Sequence, residues 1–119
     1  MIIGVGIDVV DVARFLQTLE RTPRLRARLF TDDEQRLQPA SLAARFAAKE
    51  AVLKALGTGK RGDIAWTDVE VTGGGASPPA IVLHGGARAV AESGGLQSLE
   101  ISISHDGGIA IALAVALWG

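Results

Sequence analysis

Apolar residues are spaced differently in the two halves of this chain. Ile2 to Ile7 is a short apolar run, interrupted by glycine and ended by Asp8, which is the pattern of a strand. Asp11 then stands where it can cap a helix whose apolar face is Val12, Phe15, Leu16 and Leu19. Thr22-Pro23 opens a further short turn or helix, and Thr31-Asp32-Asp33-Glu34 has the threonine-to-glutamate spacing of a capping box. Three short helical pieces are therefore predicted after the first strand.

The strongest helical signal runs from Leu42 to Leu56, with Ser41 as its expected N-cap and Gly57 placed to end it in a left-handed conformation. Leu42, Phe46, Leu53 and Leu56 form a bulky stripe, and Ala43, Ala44, Ala47, Ala48, Ala51 and Ala55 cover most of the remaining surface. Such a helix has no ordinary solvated side. Arg45, Lys49, Glu50 and Lys54 fall within or beside the bulky arc, where charges need partners or a ligand.

The second half reads as strands over residues 64–71, 80–83, 99–103 and 108–117, with a short helix at about 86–93 and a surface turn at 73–79. Helices first and strands afterwards predict an α+β fold, with a mostly antiparallel sheet packed on one long central helix. In the last strand Ile109, Ile111, Leu113, Val115 and Leu117 alternate with Ala110, Ala112, Ala114 and Ala116, so both faces are apolar. A helix is expected on one face and another subunit on the other. No repeat or linker divides the chain, and residues 1–119 read as one domain.

Composition narrows the chemistry. At 48 % hydrophobic and 21 % charged, the 119 residues have the balance of a folded globular chain rather than of a disordered one. The absence of cysteine leaves only oxygen or histidine ligands for a metal, which favours magnesium-type chemistry over structural zinc. The N-terminus lacks the basic and long apolar regions of a secretory signal, so a cytoplasmic location is expected. The longest apolar run, Ile109 to Trp118, is about half of the ~20 residues that a membrane-spanning helix needs. A net charge of −1 conceals a cluster of Arg14, Arg21, Arg24, Arg26 and Arg28, which is either a solvated face or a docking surface for an acidic partner.

Several residues can carry chemistry. Glu50 and Lys54 stand four apart, as in an intrahelical ion pair worth about 0.2–0.5 kcal/mol, but the absence of a solvated side around them points to a site. Asp8 ends a strand, and two carboxylates from separate elements, completed by waters and phosphates, are what magnesium accepts. His105 either bonds Asp106 in a turn or, with Ser104, donates to a phosphate. Gly57-Thr58-Gly59-Lys60-Arg61-Gly62 has the lysine but not the spacing of a P-loop, and Gly4-Val5-Gly6 lacks the third glycine of a dinucleotide fingerprint. A hydrolase built from Ser102 or Ser104, His105 and Asp106 is disfavoured, because neighbours on one strand seldom reach triad geometry.

Taken together and in order, Gly4-Val5-Gly6-Ile7-Asp8-Val9-Val10, the run Arg45-Phe46-Ala47-Ala48-Lys49-Glu50-Ala51-Val52-Leu53-Lys54-Ala55-Leu56-Gly57-Thr58-Gly59, and Ser102-Ile103-Ser104-His105 resemble the small bacterial holo-acyl-carrier-protein synthase type of phosphopantetheinyl transferase. The resemblance implies that fold and the transfer of 4'-phosphopantetheine from coenzyme A to a serine of an acyl carrier protein, in fatty-acid or polyketide synthesis. It implies Mg2+, with Mn2+ as a substitute, held by Asp8 and Glu50, which with Lys54 form the catalytic set. Lys54 would neutralise the pyrophosphate, and Arg45, Gly57, Gly59, Ser104 and His105 would help bind coenzyme A. It further implies a homotrimer with sites between subunits, and docking of an acidic carrier on Arg14, Arg21, Arg24 and Arg28, with neither nucleic acid nor membrane as partner. The competing readings are a non-catalytic module that binds coenzyme A or carriers, and a magnesium-dependent phosphohydrolase.

Overall fold

The computed structural model describes residues 1–119. Strand β1 (Ile2–Asp11) leads into α1 (Val12–Arg21) and α2 (Leu25–Leu29), followed by a 3-10 turn at Glu34–Arg36 and the long helix α3 (Pro39–Leu56). A second 3-10 turn at Trp66–Asp68 precedes β2 (Val69–Gly74) and β3 (Ser77–Leu83), after which α4 (Gly85–Gly94), β4 (Leu96–Asp106) and β5 (Ile109–Trp118) complete the chain. The strands make an antiparallel three-stranded sheet in the order β1-β5-β4, and a separate β2-β3 hairpin. No helix is long and apolar enough to cross a membrane.

Local chemistry explains the boundaries. Asp11 caps α1 by accepting from the Arg14 amide at 3.0 Å. The expected capping box is present: the Thr31 amide donates to Glu34 Oε1 and the Glu34 amide to Thr31 Oγ1. Helix α3 starts two residues before the expected Ser41 cap, because Pro39 occupies its first turn and holds Gln38 extended. Gly57 ends it in the left-handed region at φ 79°. The expected strand over 64–71 is interrupted: the Asp68 carboxylate accepts from the Ala65 amide at 3.1 Å, which closes a turn, and also from the Gly86 amide at the start of α4. Pairing with β3 therefore begins only at Val69.

The core lies between α3 and the inner face of the three-stranded sheet. Ala47, Ala48, Ala51 and Ala55 on the helix meet Ala112, Ala114 and Ala116 on β5, all of them buried. Contact with β1 is tighter still. A Cβ at Gly4 would stand 2.2 Å from the Ala55 carbonyl oxygen, and one at Gly6 only 1.8 Å from that of Ala51, so no side chain fits at either position. The outer face carries Val5, Ile7, Val9, Ile109, Ile111 and Leu113, which are 39–58 % exposed. The alternation predicted for the last strand is thus present, with the alanine face covered by α3 and the bulky face uncovered within one chain.

The close approach of β1 to α3 yields a test. Gly6→Ala forces backbone to move against backbone and should lower stability by about 1–3 kcal/mol. Thermal unfolding at an unchanged midpoint would show that the two elements are not in contact at this position.

Candidate functional site

Because glycine replaces bulk on β1, the strand's end lies directly against the second half of α3. Asp8 stands on the inner face of β1, opposite Ala112 of β5. Lys54 reaches back from α3 and donates to the Ile7 carbonyl at 2.8 Å, with Asp8 Oδ1 at 3.4 Å. Glu50, one helical turn before Lys54, opens into the same cavity of about 650 Å3 as Asp8. Burial raises the Glu50 carboxyl above its ordinary value, the charge of Asp8 raises it further, and Lys54 opposes both. The intrahelical ion pair suggested by the spacing of Glu50 and Lys54 does not form, since the ammonium is turned to β1.

The donor set at this point is two carboxylates on separate elements, with no cluster of three or more acidic, histidine or cysteine side chains around them. Such a pair suits a hard cation that keeps several waters and takes its other ligands from substrate phosphates, as Mg2+ does, and is too small for a closed protein cage. An ion here would also relieve the repulsion that raises Glu50.

The rest of this cavity has a basic rim and an aromatic wall. Arg14 and Arg28 line it, whereas Arg21 and Arg24 do not. Phe15 stacks on Phe46 with ring centres 5.1 Å apart, and Phe46 meets Trp66 at 5.1 Å. Residue spacing alone does not predict this wall. It joins α1, α3 and the second 3-10 turn, and only the presence of Phe46 in the central motif hinted at it.

A second cavity of about 720 Å3 gathers Arg45, Ser41 and His105 under the Gly73–Pro79 turn. That turn, expected as plain surface, is therefore a cavity wall. Arg45 is buried, donates from one terminal nitrogen to the Gly73 carbonyl at 2.9 Å, and leaves its Nε without a partner. Burial holds the guanidinium below its usual value, with Glu34 opposing. An unsatisfied buried donor beside an exposed histidine suits an anionic ligand.

Three expected ligand residues stand elsewhere. Ser104 pairs with Ile111 on the outer face of the sheet, while its neighbour His105 pairs with the buried Ala110, because successive residues of a strand point to opposite faces. Ser104 thus does not join Arg45 within one chain. Gly57 and Gly59 have positive φ and open space beside them, but the amides of residues 57–59 bond back to the carbonyls of Leu53 and Lys54. They cap α3 and offer no free amide to a phosphate. Of the residues left without a role by the sequence, His84 bonds Glu70 at 3.0 Å and holds that carboxyl below its usual value, and Asp106 sits at the β4-β5 turn outside both cavities.

Lys49, beside Glu50 in the motif, faces away from both cavities. Its fully buried ammonium bonds Glu34 Oε1 at 2.8 Å and the carbonyls of Trp66 and Val69, while Glu34 Oε2 accepts from the Val71 amide. Burial lowers the lysine below its ordinary value and Glu34 opposes the shift. The capping glutamate is thus also the counter-ion that ties the first 3-10 turn and β2 to α3.

Comparison with known proteins identifies the family and the fold. The family model described as the 4'-phosphopantetheinyl transferase superfamily matches residues 4–114. The chain is 57 % identical over 116 residues to a holo-[acyl-carrier-protein] synthase of Beutenbergia cavernae, covering 98 % of each chain. Among solved structures, the holo-[acyl-carrier-protein] synthase of Neisseria meningitidis superposes with a TM-score of 0.86 at 28 % identity, over 96 % of this chain and 97 % of that one. The Helicobacter pylori enzyme in complex with coenzyme A superposes with a TM-score of 0.83 at 32 % identity, over 95 % and 99 %.

The raised Glu50 carboxyl fixes the sign of a pH effect. Its folded value lies above its unfolded one, so metal-free protein loses stability as pH rises through the folded value. Glu50→Gln removes that loss. In the presence of a chelator the variant should unfold at a higher temperature than wild type at pH 7, and the difference should close as pH falls below the ordinary glutamate value of about 4.3. Calorimetry that finds the variant less stable at pH 7 would contradict the assignment.

Proposed function

The chain belongs to the 4'-phosphopantetheinyl transferase superfamily, and from that premise we propose that its two cavities serve one reaction, the modification of an acyl carrier protein. The protein is a holo-[acyl-carrier-protein] synthase in activity: it moves 4'-phosphopantetheine from coenzyme A to a serine of the apo-carrier and leaves adenosine 3',5'-bisphosphate. The serine oxygen bonds to the β-phosphorus, the bond from that phosphorus to the bridging oxygen breaks, and the hydroxyl proton is released. Little covalent chemistry falls to the protein, so positioning and charge neutralisation are its tasks.

The observation that carries the reading is the meeting of Asp8, Glu50 and Lys54 at the β1–α3 contact. Asp8 and Glu50 would hold Mg2+, or Mn2+ in its place, and the bound ion supplies neutralisation at the phosphoryl oxygens. Lys54, already drawn towards the Ile7 carbonyl of β1, places its positive charge against the pyrophosphate and the departing oxygen. Arg45 and His105 receive a further phosphate of the nucleotide, a role supported by the unpaired Nε of Arg45. Arg14 and Arg28 on the rim of the first cavity, with Arg21 and Arg24 outside it, meet an acidic face of the carrier.

A homotrimer completes the reading. The uncovered row of Val5, Ile7, Val9, Ile111 and Leu113 supports burial against other copies, and Ser104 on that face would contribute to a neighbour's site rather than to its own. A cytoplasmic location, where carriers and coenzyme A meet, belongs to the same reading.

Incubation with apo-carrier, coenzyme A and Mg2+, followed by intact mass, should show addition of one phosphopantetheine to the carrier. An unmodified carrier with pantetheine phosphate released to water would indicate a phosphohydrolase, and no reaction at all a binding module. Asp8→Ala, Glu50→Ala and Lys54→Ala should each lower the rate by about tenfold or more while circular dichroism stays that of a folded chain. Light scattering should report a trimer that Leu113→Asp dissociates, and a monomeric wild type would remove the shared site.

A further inference from the structure

The chain's cations divide sharply by partner. Arg36, Lys49, Lys54, Arg61 and Arg88 each stand in an ion pair with a carboxylate of the chain itself. Arg45 is turned to a carbonyl in the second cavity. The cations left without a carboxylate are the five arginines between residues 14 and 28, of which Arg26 donates to the Gln35 carbonyl, together with Lys60, whose only bond is to the neighbouring Arg61 carbonyl at 3.2 Å. Lys60 is distant from that cluster in sequence but not in space. It lines a cleft of about 450 Å3 that Arg28 and Trp66 also line, and both of these line the cavity of Asp8 and Glu50 as well.

Two acids, Asp63 and Asp68, enter the same cleft against three cations, Arg28, Lys60 and the Arg61 that pairs with Asp63, so one positive charge is left over. Asp63 is taken by Arg61 at 3.0 Å, and Asp68 by the amides of Ala65 and Gly86. The Lys60 ammonium instead lies 5.9 Å from the ring centre of Trp66, a cation–π contact worth about 0.5–1 kcal/mol at an exposed site. Trp66 and Arg28 thus line both clefts.

We propose that the carrier-docking surface continues past α1 and α2, across Trp66, to Lys60, and that an acidic side chain of the carrier protein seats between Arg28 and Lys60. The proposal rests on the carrier-docking reading above and adds a residue that the central motifs do not contain. Charge complementarity identifies the occupant: with one positive charge left over and Arg28 and Lys60 free of carboxylate partners, the cleft favours a carboxylate-bearing protein surface.

The test sets Lys60→Glu beside Arg14→Glu, with KM measured separately for carrier and for coenzyme A. Both reversals should raise the carrier KM, Lys60→Glu by about five- to tenfold, as like charges meet at an interface, while KM for coenzyme A moves by less than about twofold. Raising the salt concentration should shrink the gap between wild type and Lys60→Glu. Reversal of the contacting carrier acid to lysine should restore the affinity of Lys60→Glu. In a Trp118→Phe background, Trp66 emission should change on adding carrier and change less in Lys60→Glu. If Arg14→Glu weakens carrier binding and Lys60→Glu does not, the extension is wrong and the docking reading stands. If neither variant affects the carrier, the docking reading itself fails. If Lys60→Glu raises KM for coenzyme A instead, the cleft belongs to that substrate and the proposal is overturned.

Discussion

The site depends on how closely strand β1 lies on helix α3. Two glycines at alternate positions of the strand face two alanines one turn apart on the helix, and a Cβ at either glycine would stand within 2.2 Å of a helix carbonyl. At that separation a carboxylate at the strand's end and a carboxylate on the helix share one cavity, and a lysine one turn on can bond the strand's backbone. Any larger residue at the glycines would part the two acids, so the small residues serve the chemistry as well as the packing.

A helix covered on nearly every side must find a partner for each of its charges, and α3 does so only in part. Lys49 is satisfied inside the protein by Glu34 and two carbonyls. Such a buried pair adds little net stability over an apolar core, though breaking it by removing one partner costs about 3–5 kcal/mol, and it holds two loops in a single register against the helix. Lys54 leans on the strand at the edge of the cavity. Arg45 and Glu50 remain incompletely satisfied, one with an unpaired buried nitrogen and the other with a carboxyl shifted towards its neutral form. Incomplete satisfaction concentrated at two cavities is what distinguishes a ligand site from a structural network.

Much of this was legible in the sequence. The central helix, the Thr31–Glu34 box, the helices-then-strands order and the last strand with two apolar faces follow from spacing and local chemistry alone, and the structure contains them all. What spacing could not fix was decided by contacts between distant segments. The strand expected at 64–71 gave way to a turn because Asp68 also serves α4, some eighteen residues on. Ser104 and His105 looked like one phosphate site until pairing with β5 sent them to opposite faces. Gly57 and Gly59, which the resemblance implies for coenzyme A, spend their amides on completing the end of α3. Trp66 and Lys60 lie outside the three matching motifs, and only the folded chain brings them beside Glu50 and Arg28.

Whether Asp8 and Glu50 act as one charged site can be read without any assay of transfer. A 13C-NMR titration of the Glu50 side-chain carboxyl in metal-free protein should find it above the ordinary glutamate value. In Asp8→Asn it should fall part of the way back, because burial, the larger cause, remains when the neighbouring charge is gone. A Glu50 titration that is unchanged by Asp8→Asn would mean that strand and helix do not bring the two carboxylates together, and the account of the site would fail with it.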